Sequence, residues 1–267
     1  MALNFYQVDA FTDQPFAGNP AMVYRLSHWL PDAQMQAIAA EHNLAETVFV
    51  GPDSSGDSPS GLRIRWFTPA IEVDLCGHAT LAAAKILSDV YGLELPLHFA
   101  SLSGELRVQR DGQGRLQLDF PVQPCAPLAV SAEMRQALGV PVLEAVAGLN
   151  LLLRVESEAA LRACTPDLRA IKQWPYQGVI VTAEGKACDF VSRYFAPQAG
   201  IDEDPVTGSA HCALMPFWVE RLGKTTLTAQ QLSRRGGDLC CELVNGRVLI
   251  AGEAQIVAKG ELLVTLA

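Results

Sequence analysis

Short segments of alternating apolar and polar residues run through the chain and predict many β-strands separated by few helices. In the first half, seven segments alternate with the period of a strand, and two longer segments carry apolar residues at helical spacing. Asp111, Gly112 and Gly114 predict a hairpin turn between the last two strands. The predicted strands lie near 3–10, 20–25, 46–51, 62–68, 97–101, 105–110 and 115–120, and the predicted helices near 31–42 and 78–91.

The second half has the same character. Strands are predicted near 142–155, 178–183, 187–196, 239–244 and 247–258, with one long apolar helix near 208–222 that Gly223 would end. Residues 53–61 are polar and predict an exposed loop, and the proline-rich stretch 121–127 is the natural crossing between halves. We therefore divide the chain into an N-terminal half, 1–122, and a C-terminal half, 123–267. A final strand near 261–266 can return to the first half.

Two segments of the chain resemble each other and indicate an internal duplication. Arg65–Pro69 and Arg193–Pro197 both have the pattern arginine, aromatic, phenylalanine, small residue, proline. In both halves an acidic residue follows, and then glycine, a polar residue and alanine open an apolar segment. The similar segments occur in the same order at a nearly constant offset, as expected after an ancient duplication.

Composition narrows the class of protein. The chain has 267 residues, of which 49% are hydrophobic and 18% charged, so it can bury a sizeable core and is not disordered. The net charge of −9 and the scattered 20 Lys+Arg exclude nucleic acid as an expected partner. The best apolar run, 79–84, is too short to span a membrane, and residues 1–9 do not resemble a signal peptide. We expect a cytoplasmic protein without a membrane partner.

The 7 cysteines form no Cys-x-x-Cys pair and no cluster with the spacing of a zinc site. We therefore expect reduced thiols that mostly pack as small apolar side chains, and no metal in the site.

Two glycines mark candidate binding positions. Gly77 and Gly208 each stand where an apolar helix is predicted to begin, and backbone N–H groups at a helix N-terminus attract anions. Two such N-termini facing each other across a cleft between the halves would hold a carboxylate or enolate. The alternative is that each glycine only allows the chain to enter a tightly packed helix.

Glu46 is a candidate catalytic residue because it lies where a predicted helix ends and the apolar strand 47–50 begins. Its carboxylate is either exposed at the strand edge or held in a dry pocket, where burial would raise its pKa toward the range that suits a general acid/base. The pattern alone leaves both alternatives open.

Five blocks of the sequence resemble the signature blocks of the PhzF (phenazine biosynthesis F-like) family, in the same order. They contain the Gly-Asn-Pro motif, the glutamate before the apolar strand, the first Arg-aromatic-Phe motif and the two glycine motifs. The blocks are Phe16–Ala21, Leu44–Phe49, Arg65–Pro69, Cys76–Thr80 and Glu203–Ala210. The resemblance implies an α+β protein with the diaminopimelate-epimerase-like fold, in which two similar halves each wrap a curved, mostly antiparallel sheet around a central helix.

The resemblance also implies a cofactor-independent isomerase that moves a proton between two carbons of a small carboxylate substrate. The family reaction converts trans-2,3-dihydro-3-hydroxyanthranilate, and members are commonly homodimers. By motif match the acid/base is Glu46. The supporting polar groups are His78, Asp204 and Ser209, and the further substrate contacts are Asn19 and the backbone at Gly77 and Gly208. Without the family, Asp204 would be interpreted as a residue that only begins a helix.

Two other functions remain open at this stage. Related racemases and epimerases place two cysteines across the substrate carbon, and Cys76 stands beside the first glycine motif. The second motif has Thr207 before its glycine and Cys212 one helical turn beyond, which disfavours a two-thiol epimerase. A small-molecule-binding protein without catalysis would be expected to have lost Glu46 or Asp204, and both are present.

Overall fold

The computed structural model describes residues 3–264, which form two compact units. The first unit contains the described residues up to Asp119 and those from Ala251 onward, and the second contains Phe120–Ile250.

The first unit is a sheet of short strands with two helices. Its strands are β1 (Leu3–Ala10), β2 (Asn19–Arg25), β3 (Glu46–Pro52), β4 (Leu62–Phe67), β5 (Glu72–Val73), β6 (Leu97–Ser101), β7 (Gly104–Arg110), β8 (Leu116–Pro121) and, from the end of the chain, β18 (Ala254–Leu262). Its helices are α1 (Asp32–His42) and α2 (Gly77–Asp89). Strand β18 pairs antiparallel with β1, and β1 pairs antiparallel with β2. The β2–β3 and β4–β6 pairs are parallel, whereas β3–β4, β4–β5, β6–β7 and β7–β8 are antiparallel.

The second unit repeats this plan. Its strands are β9 (Ala126–Leu128), β10 (Val142–Ala147), β11 (Leu151–Val155), β12 (Val179–Glu184), β13 (Phe190–Ala196), β14 (Ile201–Asp204), β15 (Thr226–Gln231), β16 (Gly237–Val244) and β17 (Arg247–Gly252). Its helices are α3 (Ala132–Leu138), α4 (Glu158–Ala163), α5 (Leu168–Ile171) and α6 (His211–Leu222).

The strand pairings confirm the internal duplication. Here β9–β10 and β10–β11 are antiparallel, β11–β12 is parallel, β12–β13 and β13–β14 are antiparallel, β13–β15 is parallel and β15–β16 is antiparallel. The first unit has the same order of antiparallel and parallel pairs when its pairs are taken from β18–β1 onward. The predicted fold class, two similar halves with mostly antiparallel sheets, is therefore confirmed.

Helix α2 occupies the core of the first unit. Ten of its residues are buried, and four of these are alanines, so the helix can pack closely against β1, β2 and β3. A helix that is apolar on nearly every side is stable only when it is surrounded by protein. Helix α6 has the same character in the second unit, and Gly223 ends it in a left-handed conformation, as predicted.

Several predicted boundaries are wrong in detail. The predicted helix over 208–222 begins as a 3₁₀ turn, Gly208–Ala210, before α6. The segment predicted as one strand over 142–155 is the β10–β11 hairpin, and the segment 247–258 breaks at Glu253 into β17 and β18. Of the final strand predicted near 261–266, residues 261–262 belong to β18, and 265–266 lie outside the described residues.

A partly buried arginine–glutamate pair accompanies the repeated motif in each unit. Arg65 donates two hydrogen bonds to Glu72, over 2.7 and 2.6 Å, and Arg193 donates two to Glu203, over 2.7 and 3.0 Å. Each guanidinium also lies over the phenylalanine ring two residues further along its strand. These pairs join β4 to β5 and β13 to β14, which explains why arginine, phenylalanine and the later glutamate recur together.

We expect Glu203→Gln to destabilise the protein by about 1.5–3 kcal/mol, because the largely buried Arg193 would lose a charged, two-pronged partner. The matched control is Glu220→Gln, which removes a carboxylate with 83% side-chain exposure that lies 3.8 Å from Arg221 and should cost under about 1 kcal/mol. Urea unfolding of the two variants measures both effects. Equal losses would contradict a structural role for the partly buried pair.

Candidate active site

Three polar side chains of the first unit converge where β2, β3 and α2 begin. Asn19 is the first residue of β2, Glu46 the first residue of β3, and His78 the second residue of α2. Because β2 and β3 are parallel neighbours, their first residues lie at the same edge of the sheet, with Ala21 opposite Glu46 in the register. The sequence separates these residues widely, and the parallel pairing brings them together.

A tight turn at Gly18 leads the chain into β2. Gly18 has φ +64°, and a Cβ built there would lie 2.2 Å from the carbonyl oxygen of Ala10. Only glycine fits this turn, which delivers the completely buried Asn19 into the site.

The three side chains meet at the imidazole. The Asn19 amide nitrogen lies 3.1 Å from His78 Nδ1, and Glu46 Oε2 lies 3.2 Å from His78 Nε2. The Asn19 amide donates a hydrogen bond to Nδ1, whereas the approach of Nε2 to Glu46 Oε2 lacks the geometry of a hydrogen bond. Asn19 thus orients His78, and His78 lies in contact with Glu46.

Burial keeps the His78 ring neutral. The imidazole is 4% exposed, and desolvation lowers its pKa to about 3, only partly offset by a hydrogen bond with the backbone of Pro20. The contact with Glu46 would be an ion pair if the ring were protonated. The neutral ring lies against a carboxylate whose side chain is 12% exposed, and the two groups lack hydrogen-bond geometry. Of the two alternatives for Glu46, a nearly buried position is therefore the one found.

The N-terminus of α2 lies beside these groups. Cys76 is the N-cap residue, and its side chain makes no capping hydrogen bond to the first turn. The predicted position of Gly77 at the start of a long apolar helix is therefore confirmed. Gly208 differs, because it begins the 3₁₀ turn and α6 starts three residues later.

Asp204 belongs to a second polar cluster, in the second unit. It is the last residue of β14, is 7% exposed and accepts a hydrogen bond from the Thr207 hydroxyl. The completely buried Gln231 binds both residues: its amide donates to the Asp204 carbonyl over 2.7 Å, and its side-chain oxygen accepts from the Thr207 N–H over 2.8 Å. Asp204 does not cap α6, whose N-cap is Ala210, so the interpretation as a residue that only begins a helix is wrong.

Four residues that no sequence motif pointed to surround this cluster. Tyr194 pairs in register with Asp204 and donates to Asn150 over 2.9 Å, while Thr207 and Gln231 hold Asp204 directly. The internal repeat is a sequence signal that could have identified Asn150. The number of residues between Asn19 and Asn150 equals the number between Gly77 and Gly208, so Asn150 is the counterpart of Asn19 in the second half. Ser209 is half-buried in the 3₁₀ turn.

The cysteines do not favour two-thiol chemistry. Cys76 Sγ lies 3.5 Å from His78 Nδ1, but the equivalent position before Gly208 holds Thr207. Cys212 is buried in α6, and burial raises the pKa of its thiol to about 12, so it is a poor proton acceptor. In the described part of the chain the cysteines form no disulfide.

One metal-ligating group is present among the described residues. Glu46, Cys76 and His78 each offer a ligand atom, and these atoms lie within 4.8 Å of one another. Cys76 approaches Nδ1 of the imidazole and Glu46 approaches Nε2. One ion can bind only one of these ring nitrogens, so the group divides into a cysteine side and a glutamate side.

We expect the stability of the protein to fall as the pH drops from 7 to 5. The pKa of His78 is lower in the folded protein than in the unfolded chain, so the unfolded state binds more protons between about pH 6.5 and 3. His78 accounts for roughly 2 kcal/mol of this loss at pH 5, and the completely buried His211, whose pKa burial lowers to about 4, adds a similar amount. Urea unfolding at both pH values measures it.

His78→Gln should reduce this pH dependence, whatever its effect on stability at pH 7. The control is His28→Gln, which changes an exposed imidazole, and His78→Gln should reduce the pH dependence more than this control does. An unchanged slope in His78→Gln would contradict the neutral state of the buried ring.

No helix within residues 3–264 has the length and apolar character needed to cross a membrane.

Comparisons with known proteins agree with the fold and the motifs. The family described as "Phenazine biosynthesis-like protein" (PhzC-PhzF) matches residues 8–260. An "uncharacterized isomerase" of Pseudomonas aeruginosa is 54% identical over 98% of this chain and 99% of its own length. A phenazine biosynthesis-like domain-containing protein of Mus musculus is 40% identical over 98% of this chain and 99% of its own length.

The solved structures extend the similarity to the fold. A crystal structure of a PhzF family protein from Enterococcus faecalis has a TM-score of 0.94 and 46% identity, covering 99% of this chain and 100% of that one. A hydroxyproline epimerase from Agrobacterium vitis has 11% identity and a TM-score of 0.62, over 98% of this chain and 92% of that one, and shows a shared fold only. The chain therefore belongs to the phenazine biosynthesis-like PhzC-PhzF family and is an isomerase of that family.

Proposed function

We propose that this isomerase moves a proton between two carbons of a small carboxylate substrate, without a cofactor, and that Glu46 is the acid/base. The observation that carries the proposal is a nearly buried Glu46 carboxylate that lies 3.2 Å from a neutral imidazole, which Asn19 holds by a hydrogen bond. The reaction resembles the isomerisation of trans-2,3-dihydro-3-hydroxyanthranilate that is characteristic of the family.

The arrangement suits a proton shuttle because a neutral ring, rather than a charged one, lies beside the carboxylate. A protonated histidine would hold Glu46 as an ion pair and reduce its basicity. The neutral His78 forms no ion pair with Glu46, and the two groups lie in a site with little water. Such a carboxylate can accept a proton from one carbon and return it to another.

The substrate in this proposal has an acidic C–H bond next to a carbonyl, a carboxylate or a diene. Removing that proton leaves negative charge on the substrate, and the N–H groups at the start of α2 can stabilise it. The helix dipole contributes about 0.3–1 kcal/mol, and more where water is excluded. General acid/base catalysis is worth about 10²–10⁴-fold, and positioning of the substrate supplies the remainder.

By motif match, Asp204 and Ser209 enter the proposal as catalytic groups that hold the polar end of the substrate and stabilise its charge, and Gly208 enters as a substrate-binding position. The second unit supports this role for Asp204, because Thr207 and Gln231 hold its carboxylate and backbone in one orientation. The cytoplasmic location and the homodimer stay predictions that rest on the resemblance.

We expect Glu46→Gln to lower solvent hydrogen exchange into a substrate by about 10²–10⁴-fold, because an amide cannot carry the proton. The substitution keeps the size of the side chain, so folding and ligand affinity should change little. The measurement is deuterium uptake in D₂O, by mass spectrometry, across a panel of small cyclic carboxylates and amino acids.

Cys76→Ser is the comparison that separates this mechanism from two-thiol chemistry. The glutamate mechanism predicts a much smaller loss of exchange in Cys76→Ser than in Glu46→Gln, and the two-thiol mechanism predicts the reverse order. Full exchange in Glu46→Gln would refute the proposed role of Glu46.

We expect Asp204→Asn and Ser209→Ala to weaken exchange mainly through substrate binding, with an increase in KM larger than the decrease in kcat. The control is Asp202→Asn, an exposed position on the same strand, β14. If Asp204→Asn matched this control, Asp204 would have no part in the site.

A further inference from the structure

Cys76 has no role in the proposed proton transfer, yet it lies against the imidazole that contacts Glu46. Its side chain is 7% exposed, and its Sγ is 3.5 Å from His78 Nδ1. We propose that Cys76 and His78 Nδ1 form a binding site for a thiophilic divalent cation of the zinc class, which acts as an inhibitor rather than as a cofactor.

The spacing of the two donor atoms fits a shared ion. Zinc binds cysteine sulfur at about 2.3 Å and histidine nitrogen at about 2.0–2.1 Å in tetrahedral geometry, which places sulfur and nitrogen roughly 3.5–3.6 Å apart. The observed separation is 3.5 Å, at which the two atoms form a hydrogen bond, and it equals this value.

The other side of the ring matches the surroundings of metal-binding histidines. Such a histidine usually donates its second ring N–H to a carboxylate, which orients the ring and makes the bound nitrogen more basic. Here the Glu46 carboxylate lies on that side of the ring, 3.2 Å from Nε2, although the two atoms lack hydrogen-bond geometry. In this proposal the ion therefore binds Nδ1, on the Cys76 side of the ring, and Glu46 is the supporting carboxylate on the Nε2 side.

Asn19 can supply an oxygen ligand. Its side-chain nitrogen lies 3.1 Å from Nδ1, and a half-turn of the amide places its oxygen on the same side as the cation. Water completes the tetrahedral set.

Charge and proton balance are consistent with a cation. On binding, the Cys76 S–H bond breaks, a sulfur–metal bond forms, and the thiol proton passes to solvent. The thiolate and the Glu46 carboxylate together then balance a charge of +2. Sulfur and imidazole ligands favour zinc, cobalt or cadmium over magnesium or calcium.

The inhibitory effect rests on the proposed function, because a bound ion would hold His78 and Glu46 and prevent the carboxylate from exchanging a proton with substrate. The binding itself does not depend on that function and can be measured separately.

The experiment is a titration of the metal-free, full-length protein with Co²⁺, followed by absorption spectroscopy. We expect one Co²⁺ per chain, a thiolate-to-cobalt charge-transfer band in the near ultraviolet, and strong visible bands of a four-coordinate ion. Zn²⁺ should displace the cobalt, and Mg²⁺ should not. A titration without a charge-transfer band would overturn the proposal.

Cys76→Ser should remove the charge-transfer band and weaken Co²⁺ binding by at least about 10–100-fold, the loss typical even of residues that only support a ligand. The matched control is Cys188→Ser, which changes a half-buried thiol of the second unit and should leave the band intact. A band that persists in Cys76→Ser, or disappears in Cys188→Ser, would contradict the assignment.

Two further variants keep the test decisive. If Cys76→Ser does not fold, as judged by circular dichroism, His78→Gln should also lose the band. Glu46→Gln should keep the band while its affinity falls about 10–100-fold. Cobalt binding without proton exchange in the wild type would refute the proposed function alone, and exchange without a cobalt–thiolate band would refute the metal site alone.

Discussion

The chemistry of the site depends on the burial of one imidazole. Desolvation keeps His78 neutral, so the ring can accept a hydrogen bond from Asn19 and lie beside Glu46 without forming an ion pair. A charged ring could not accept from Asn19, and it would turn the base into one half of an ion pair. The packing of α2 against β1, β2 and β3 buries the imidazole. The same packing that forms the core therefore also sets the environment of the Glu46 carboxylate.

The internal repeat shows how one plan supports two different clusters. Both units share the order of strand pairing, the arginine–glutamate pair and a buried helix that ends each motif. The residues at the starts of these helices have diverged. Cys76 and His78 occupy the positions of Thr207 and Ser209, so one copy surrounds a base and the other holds Asp204 with hydroxyl and amide groups.

Hydropathy patterns best predicted the strands and helices in which one face, or every face, is buried. Strands β1 and β6 and helix α2 follow clear apolar periods, and their positions were close to the observed ones. Strand β15 was not predicted because Gln231 occupies a buried position on it, where strand periodicity requires an apolar residue. Strand β9 was not predicted because all three of its residues are exposed. A polar side chain that is buried for its hydrogen bonds has no signature in hydropathy.

The sequence by itself determined the alternation of strands and helices, the duplication, the family and the identity of Glu46 as the outstanding carboxylate. Only the tertiary structure decided that Glu46 is nearly buried, that Asn19 and Cys76 meet the same ring nitrogen of His78, and that Gln231 supports Asp204. The physical reason is that hydrophobic periodicity and composition are properties of the linear sequence. Parallel strand pairing joins residues far apart in sequence, and the desolvation that sets the pKa of His78 depends on everything packed around the ring.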